Sequence, residues 1–124
     1  MSDGESPRAR LGRRAEDAVA RYLERSGCVI LERNLRLGRF ELDIVARRAE
    51  LILVVEVRAR GPGAWTTGLG SLSRAKCERI RRAGQRLWRD RFKGDPSVER
   101  MRFDAASVHF SGDQADIDYV VAAF

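Results

Sequence analysis

Residues 40–58 read FELDIVARRAELILVVEVR and contain the two strands from which the fold can be inferred. From Phe40 to Arg47, apolar and polar residues alternate, which is typical of a strand with one buried face. Leu51 to Arg58 form a second, strongly apolar segment. Because only three residues separate the two segments, the sequence predicts an antiparallel hairpin.

The alternation assigns the hairpin side chains to two faces. One face is apolar, and we expect it to line a core: Phe40, Leu42, Ile44 and Ala46 with Leu51, Leu53, Val55 and Val57. The other face then collects three carboxylates and one guanidinium: Glu41, Asp43, Glu56 and Arg58. A two-residue turn at Arg48 and Ala49 would place Glu41 opposite Glu56, with Asp43 on the diagonal.

Like charges that face each other across strands destabilise a sheet, so this acidic face needs a positive partner. A divalent cation is one candidate, because carboxylates are hard oxygen ligands suited to Mg²⁺ or Mn²⁺. Arg58 is the other candidate. In that case the face is exposed to solvent, and Arg58 forms a salt bridge with the acids. Glu16 shares a helical stripe with Ala20 and Leu23, so it is either a further acid of the same cleft or an ordinary exposed acid.

The rest of the chain supplies two helices and three more strands. Patterning predicts these elements: a helix from Leu11 to Ser26, a strand from Cys28 to Leu35, a helix capped by Ser73 that runs to about Phe92, and strands over Met101 to Phe110 and Ala115 to Phe124. The order α-β-β-β-α-β-β favours an α/β fold with a central sheet flanked by helices. The chain has 124 residues, enough for one domain. We expect a flexible tail over residues 1–10 and a single domain over residues 11–124.

The charge is concentrated in the second helix. The chain has 24 basic and 18 acidic residues, and residues 74–93 contain nine of the basic ones against Glu78 and Asp90. Such a basic element is typical of a nucleic-acid binder, although a solvated helix face has the same composition. The candidate phosphate contacts are Arg74, Lys76, Arg79, Arg82 and Arg86. The preceding glycine-rich stretch, residues 61–73, predicts a flexible loop whose Trp65 either stacks on a base or folds back on the domain.

Other functional classes are disfavoured. The longest aliphatic run, Leu51 to Val55, is far shorter than the about 20 residues of a membrane span. The N-terminal residues lack the apolar stretch of a secretory signal. Cys28 and Cys77 stand alone, without the spacing of a zinc site or a disulfide framework. We therefore expect a cytoplasmic protein with no membrane partner.

The spacing of the acidic residues resembles that of a nuclease family. Asp43, followed after twelve residues by Glu56-Val57-Arg58, resembles the D-Xn-(D/E)-x-K signature of restriction-endonuclease-like nucleases. More narrowly, the chain is similar to the YraN-like family of small predicted nucleases. The segments that carry this resemblance are RRAEDAVARYL at 13–23, NLR at 34–36, RFELDIV at 39–45, VVEVRAR at 54–60, Lys76, and RFD at 102–104.

The resemblance implies a restriction-endonuclease-like fold with a central mixed sheet, and a likeness to Holliday-junction resolvases. It implies that Glu16, Asp43 and Glu56 are metal-site acids for Mg²⁺ or Mn²⁺ and that Glu41 is their neighbour. It also makes the residue at position 58 the catalytic basic group. Here Arg58 replaces the usual Lys, and an arginine can neutralise charge but cannot act as a base.

Three functional hypotheses follow, and one of them, a protein-interaction domain, predicts no salt-dependent DNA affinity. The other two involve nucleic acid. The first is a nuclease that cuts DNA in a structure-selective manner, because the sequence contains no base-reading motif. The second is a catalytically weak or inactive nucleic-acid-binding module on the same fold, suggested by Arg58. Cutting of a four-way junction would favour a two-fold homodimer with paired sites.

Overall fold

The computed structural model describes residues 4–60 and 72–124. The elements in chain order are α1 (Pro7–Arg25), β1 (Val29–Leu37), β2 (Phe40–Arg48), β3 (Leu51–Arg60), α2 (Arg74–Leu87), a π-helical turn (Trp88–Phe92), β4 (Arg100–Ser111) and β5 (Gln114–Val120). The strands form one sheet in the order β1-β2-β3-β4-β5. β3 and β4 pair in parallel because α2 crosses between them, and the other neighbouring pairs are antiparallel.

The sheet is covered by one helix on each face. On one face α1 packs its small and aliphatic side chains, such as Ala15, Val19 and Leu23, against β2, β3 and β4. On the opposite face α2 contributes Ile80, Ala83 and Leu87 to a second core. β3 is buried on both faces from Leu51 to Glu56. The predicted architecture, a central mixed sheet flanked by helices in the order α-β-β-β-α-β-β, is confirmed.

α1 begins earlier than predicted. The hydroxyl of Ser6 accepts a hydrogen bond from the backbone N–H of Ala9 at 3.1 Å, and Pro7 is the first helical residue. A serine cap followed by proline is a favourable helix start. Residues 7–10, which the sequence analysis assigned to the tail, are therefore part of α1.

α2 begins where the sequence predicts. Ser73 caps it by accepting from the backbone N–H of Lys76 at 3.0 Å. The regular helix ends at Leu87 and continues as the π-helical turn to Phe92, so the predicted extent is confirmed. The predicted loop at 61–73, including Trp65, lies outside the described residues except for Leu72 and Ser73. In the described ranges, no helix has the length and apolar character to cross a membrane.

The last strand is shorter than predicted. β5 ends at Val120 rather than Phe124. Asp104, which is fully buried, accepts hydrogen bonds from Arg102, from the Tyr119 hydroxyl and from the backbone N–H of Ala122. Ala122 has a φ of 52°, so the chain leaves the sheet at the residue whose backbone N–H donates to Asp104.

The predicted assignment of β2 side chains to one core is wrong. Leu42 packs in the core beneath α2 together with the partly buried Phe40, whereas Ile44 and Ala46 pack beneath α1. The change of face occurs at Asp43. Across from it on β1 lies Asn34, between the paired positions Arg33↔Ile44 and Leu35↔Leu42, and its φ of 52° interrupts the regular pleat.

The predicted hairpin register is also wrong. Arg48 pairs with Leu51, so the two-residue turn consists of Ala49 and Glu50, not Arg48 and Ala49. The register then moves by two residues, and Ile44 pairs with Val55. The next positions along the two strands are Asp43 and Glu56, so Asp43 takes the place beside Glu56 that the sequence assigned to Glu41.

Candidate functional site

Asp43 and Glu56 form a carboxylate pair on neighbouring strands. They follow the paired residues Ile44 and Val55, and their carboxyl groups lie close enough for the charge of Glu56 to raise the pKa of Asp43. Glu56 is only 4% exposed. The backbone N–H of Val57 donates to Asp43 Oδ2 at 2.9 Å, which fixes the Asp43 side chain against β3.

Burial raises the pKa of Asp43 into the neutral range. Desolvation, and second the negative charge of Glu56, raise the pKa of Asp43 to about 8, against the lowering effect of the Val57 N–H. Asp43 therefore keeps its proton at pH 7, where an isolated aspartate has lost it.

The positive partner of Glu56 comes from α2. Lys76 Nζ lies 2.8 Å from Glu56 Oε2, and the Lys76 side chain is 35% exposed. This ion pair joins the first turn of the basic helix to the centre of the sheet. Arg58, the positive partner considered from the sequence, lies two residues further along β3 and pairs in register with Ser107 of β4.

Glu16 lies near the pair but is held by β1. Asn34 Nδ2 donates to Glu16 Oε1 at 3.1 Å, and Arg33 Nη2 lies 3.6 Å from the same oxygen. Burial raises the pKa of Glu16, although these two partners lower it. The charge of Glu16 also raises the pKa of Asp43, which places α1 at the edge of the same acidic region.

Glu41 is not opposite Glu56, contrary to the sequence prediction. It pairs in register with Arg36 of β1, and the two side chains form an ion pair with Nη2 and Oε1 3.6 Å apart. Its side chain is 42% exposed. Within residues 4–60 and 72–124, no group of three or more His, Cys, Asp or Glu side chains is placed to hold a metal ion. The structure thus brings together two of the four predicted acids.

The five predicted phosphate contacts all lie on α2, at different positions around it. Lys76 engages Glu56, as described above. Arg82 pairs with Glu78 one turn earlier at 3.4 Å, and Arg86 pairs with Asp90 at 3.7 Å. Both pairs are exposed and contribute little to stability, so their guanidinium groups can exchange partners for a phosphate. The other two predicted contacts, Arg74 and Arg79, are exposed.

Sequence reasoning missed the Lys76–Glu56 ion pair and the support that Asn34 gives to Glu16. One compositional signal pointed to Lys76: it is one of two lysines among 24 basic residues. A lysine in such an arginine-rich chain suggests a position where a compact ammonium is needed rather than a planar guanidinium. Asn34 carried no comparable signal, because asparagine at a positive φ is common in ordinary turns.

The fold and site define a mixed α/β protein with a buried carboxylate pair beside a basic helix. The chain belongs to the uncharacterised protein family UPF0102, whose model matches residues 15–108. This range includes Glu16, Asp43, Glu56 and Lys76. Family membership, expected from the YraN-like motifs, is thereby confirmed.

Relatives match along nearly the whole chain. A UPF0102 protein of Sorangium cellulosum is 50% identical over 119 residues, covering 94% of this chain and 82% of the relative. A UPF0102 protein of Myxococcus xanthus is 36% identical over 117 residues, covering 94% and 90%. Among solved structures, Pyrococcus furiosus SfsA in complex with Ca²⁺ matches with a TM-score of 0.38 and 17% identity, covering 90% of this chain and 60% of that chain.

Proposed function

We propose that this protein is a metal-dependent nuclease that hydrolyses DNA phosphodiester bonds and selects DNA by structure rather than by sequence. The observation that carries the proposal is the Asp43–Glu56 pair, which lies next to a strongly basic helix. Two carboxylates held together in a poorly solvated place repel each other, as the raised pKa of Asp43 indicates. Titratable groups perturbed in this way are concentrated at functional sites.

The two carboxylates fit Mg²⁺ or Mn²⁺ as ligands. Their oxygens are hard donors, and a bound cation would offset the desolvation and the repulsion that now keep a proton on Asp43. Mg²⁺ in particular commonly binds through one or two carboxylates and takes its other ligands from water and substrate phosphate. A site with two protein acids is therefore sufficient, with Glu16 as a further acid that acts through water.

Each residue has a distinct task in the proposed reaction. When bound to Asp43 and Glu56, the cation would polarise the phosphodiester and lower the pKa of a water molecule. Lys76, whose ammonium lies 2.8 Å from Glu56 Oε2, holds the Glu56 carboxylate in position. Arg58 neutralises the charge that builds up on the phosphorus-bound oxygens. Glu41 is a neighbouring acid at the rim and has no direct part in this scheme.

The basic helix supplies affinity without sequence selectivity. Its arginines offer contacts to backbone phosphates, and such contacts position DNA but carry no base information. The likeness to Holliday-junction resolvases, which rests on the motifs around Asp43 and Glu56, makes branched DNA the substrate to test first. Junction cutting would bring two copies of the chain together around a two-fold axis.

A second candidate function is a DNA-binding module without turnover. It is favoured by Arg58, which cannot act as a base, and by the Lys76 ammonium, which already neutralises Glu56. The two functions differ in one respect that can be measured, because both predict salt-dependent DNA binding but only the nuclease predicts metal-dependent cutting.

A panel of labelled substrates tests the proposal: single strand, duplex, flap and four-way junction, each with Mg²⁺, Mn²⁺ or EDTA. We expect metal-dependent cutting of at least one branched substrate by the wild-type protein and none by Asp43→Ala. The variant should still bind DNA, since its basic helix is intact. Binding without cutting by the wild-type protein on every substrate would overturn the nuclease proposal and leave the binding module.

A further inference from the structure

A small cavity with basic walls lies beside the carboxylate pair, between the β1–β2 turn and the start of α2. Its volume is about 80 Å³, more than the about 30 Å³ that one water molecule occupies in the liquid. The lining residues are Arg39, Phe40, Glu41, Lys76, Arg79 and Ile80. Three of these six side chains are cationic and one is anionic, so the cavity suits a small oxyanion.

The surroundings of the cavity add to its positive character. Glu41, the anionic member, is paired with Arg36 at 3.6 Å, which offsets its charge. On the β1–β2 turn, Gly38 has a φ of 64°, and a Cβ at that position would come within 3.1 Å of Arg86 Nη1. The guanidinium of Arg86 therefore lies against the turn that carries Arg39. The basic side of α2 and the β1–β2 turn form one continuous cationic surface.

Lys76 connects this surface to the carboxylate pair. Its side chain lines the cavity, and its ammonium contacts Glu56 at 2.8 Å. An anion in the cavity would thus lie one side chain away from Glu56. Two successive phosphates of a nucleic-acid strand would fit this arrangement. One phosphate would be presented to Asp43 and Glu56, and its neighbour would be held in the cavity beside them.

We propose that the cavity lined by Arg39, Lys76 and Arg79 binds a backbone phosphate of the DNA strand, next to the phosphate presented to Asp43 and Glu56. The identity of the strand as DNA rests on the proposed function, whereas the anion preference rests on the cavity itself. Arg39 and Arg79 hold the phosphate with their guanidinium groups. Lys76 completes the cationic wall on the side of Glu56.

The proposal separates two sides of α2 that composition alone does not. Arg74, Arg81 and Arg82 line a different, larger cavity together with Phe124. That cavity does not include Lys76 or the β1–β2 turn. Because Arg74 and Arg82 are themselves candidate phosphate contacts, the matched control for net charge comes from α1, where Arg21 and Arg25 are exposed and line another cavity.

The test compares two double variants with equal loss of charge, Arg39→Gln/Arg79→Gln and Arg21→Gln/Arg25→Gln. We expect the first to bind a branched oligonucleotide about tenfold more weakly at ~0.1 M salt and to lower the salt slope by about 1. A second set of oligonucleotides replaces one strand phosphate at a time by an uncharged methylphosphonate. At one position in the strand, the replacement should weaken binding of the wild-type protein but not binding of Arg39→Gln/Arg79→Gln. Equal behaviour of the two double variants would overturn the proposal.

A second measurement makes the outcome independent of nuclease activity. In the wild-type protein, inorganic phosphate should shift the NMR signals of the Arg39 and Arg79 Nε–H groups saturably and leave those of Arg21 and Arg25 in place. Saturable shifts without any DNA cutting would support the phosphate site and reject the nuclease. Cutting by the wild-type protein, with no phosphate shift and no methylphosphonate effect, would reject the phosphate site and support the nuclease.

Discussion

Lys76 places its ammonium 2.8 Å from the carboxylate of Glu56, which is 4% exposed. This ion pair joins α2 to β3, and it puts the charge of a surface helix into contact with a buried acid. The removal of one member of a buried pair is costly, because the other charge stays desolvated without a partner.

Lys76→Met should therefore destabilise the protein by about 2 kcal/mol, less than for a fully buried pair because the lysine side chain is partly exposed. Urea denaturation at pH 7 measures the free energy of unfolding. Arg82→Met is the control, since its pair with Glu78 is exposed on both sides and should contribute less than about 0.5 kcal/mol. Equal effects of the two substitutions would contradict the buried ion pair.

Asp43→Asn should change the pH dependence of stability. The pKa of Asp43 is raised in the folded protein, so its protonated form contributes stability below the unfolded pKa of about 4, and this contribution is lost as pH rises through about 8. An asparagine cannot ionise, so the variant should gain stability relative to wild type from pH 5 to pH 9, by more than about 1 kcal/mol. Parallel stability curves over this range would show that Asp43 ionises normally.

Gly84→Ala should destabilise the contact between α2 and the sheet. A Cβ at Gly84 would lie 2.5 Å from Phe103 Cε1, closer than side-chain contacts allow. We expect a loss of about 2 kcal/mol in thermal or urea unfolding, because overpacking exceeds the higher helix propensity of alanine. Gly12→Ala in α1 is the matched control: among the described residues, a Cβ at Gly12 would meet no atom within 4 Å beyond its chain neighbours and its own helix backbone, and the substitution should stabilise by about 0.5 kcal/mol. A stabilising Gly84→Ala would mean that α2 lies further from β4.

Asp104→Asn, a substitution far from the candidate site, should lower the free energy of unfolding strongly. Asp104 accepts two hydrogen bonds from Arg102 at 2.9 Å each, one from Tyr119 at 2.6 Å and one from the Ala122 backbone at 2.9 Å. An amide cannot accept all four and loses the charge, so we expect a loss of about 3 kcal/mol. Tyr119→Phe removes one of the four bonds and should cost about 1 kcal/mol. A smaller loss for Asp104→Asn than for Tyr119→Phe would contradict the central role of the carboxylate.

Much of the fold was predictable because its signals are local. The apolar run at Leu51 to Val55, the alternation after Phe40 and the Ser73 cap each act within a few residues. These signals were sufficient for the element order and for a sheet between two helices. They were also sufficient to select Asp43 and Glu56, which lie on the two strands of one hairpin.

The details of the site depended on features that the sequence leaves ambiguous. Turns at Arg48-Ala49 and at Ala49-Glu50 both fit the hairpin, yet they differ by two residues in register and so exchange Glu41 for Asp43 beside Glu56. The buried face of β2 changes between Leu42 and Ile44, opposite Asn34, whose φ is positive, and no local pattern in the sequence marks this change. The contact between Lys76 and Glu56 joins residues far apart in sequence, and no local pattern specifies such a contact.

In the proposed nuclease, the Asp43–Glu56 pair and a bound divalent cation cut DNA together. The most direct test is single-turnover cleavage of a labelled four-way junction in Mn²⁺, with Glu56→Gln beside Glu41→Gln, an exposed acid outside the pair. We predict that Glu56→Gln abolishes metal-dependent cutting while retaining junction binding, and that Glu41→Gln cuts within about threefold of wild type. Undiminished cutting by Glu56→Gln would contradict a role of the Asp43–Glu56 pair in DNA cleavage.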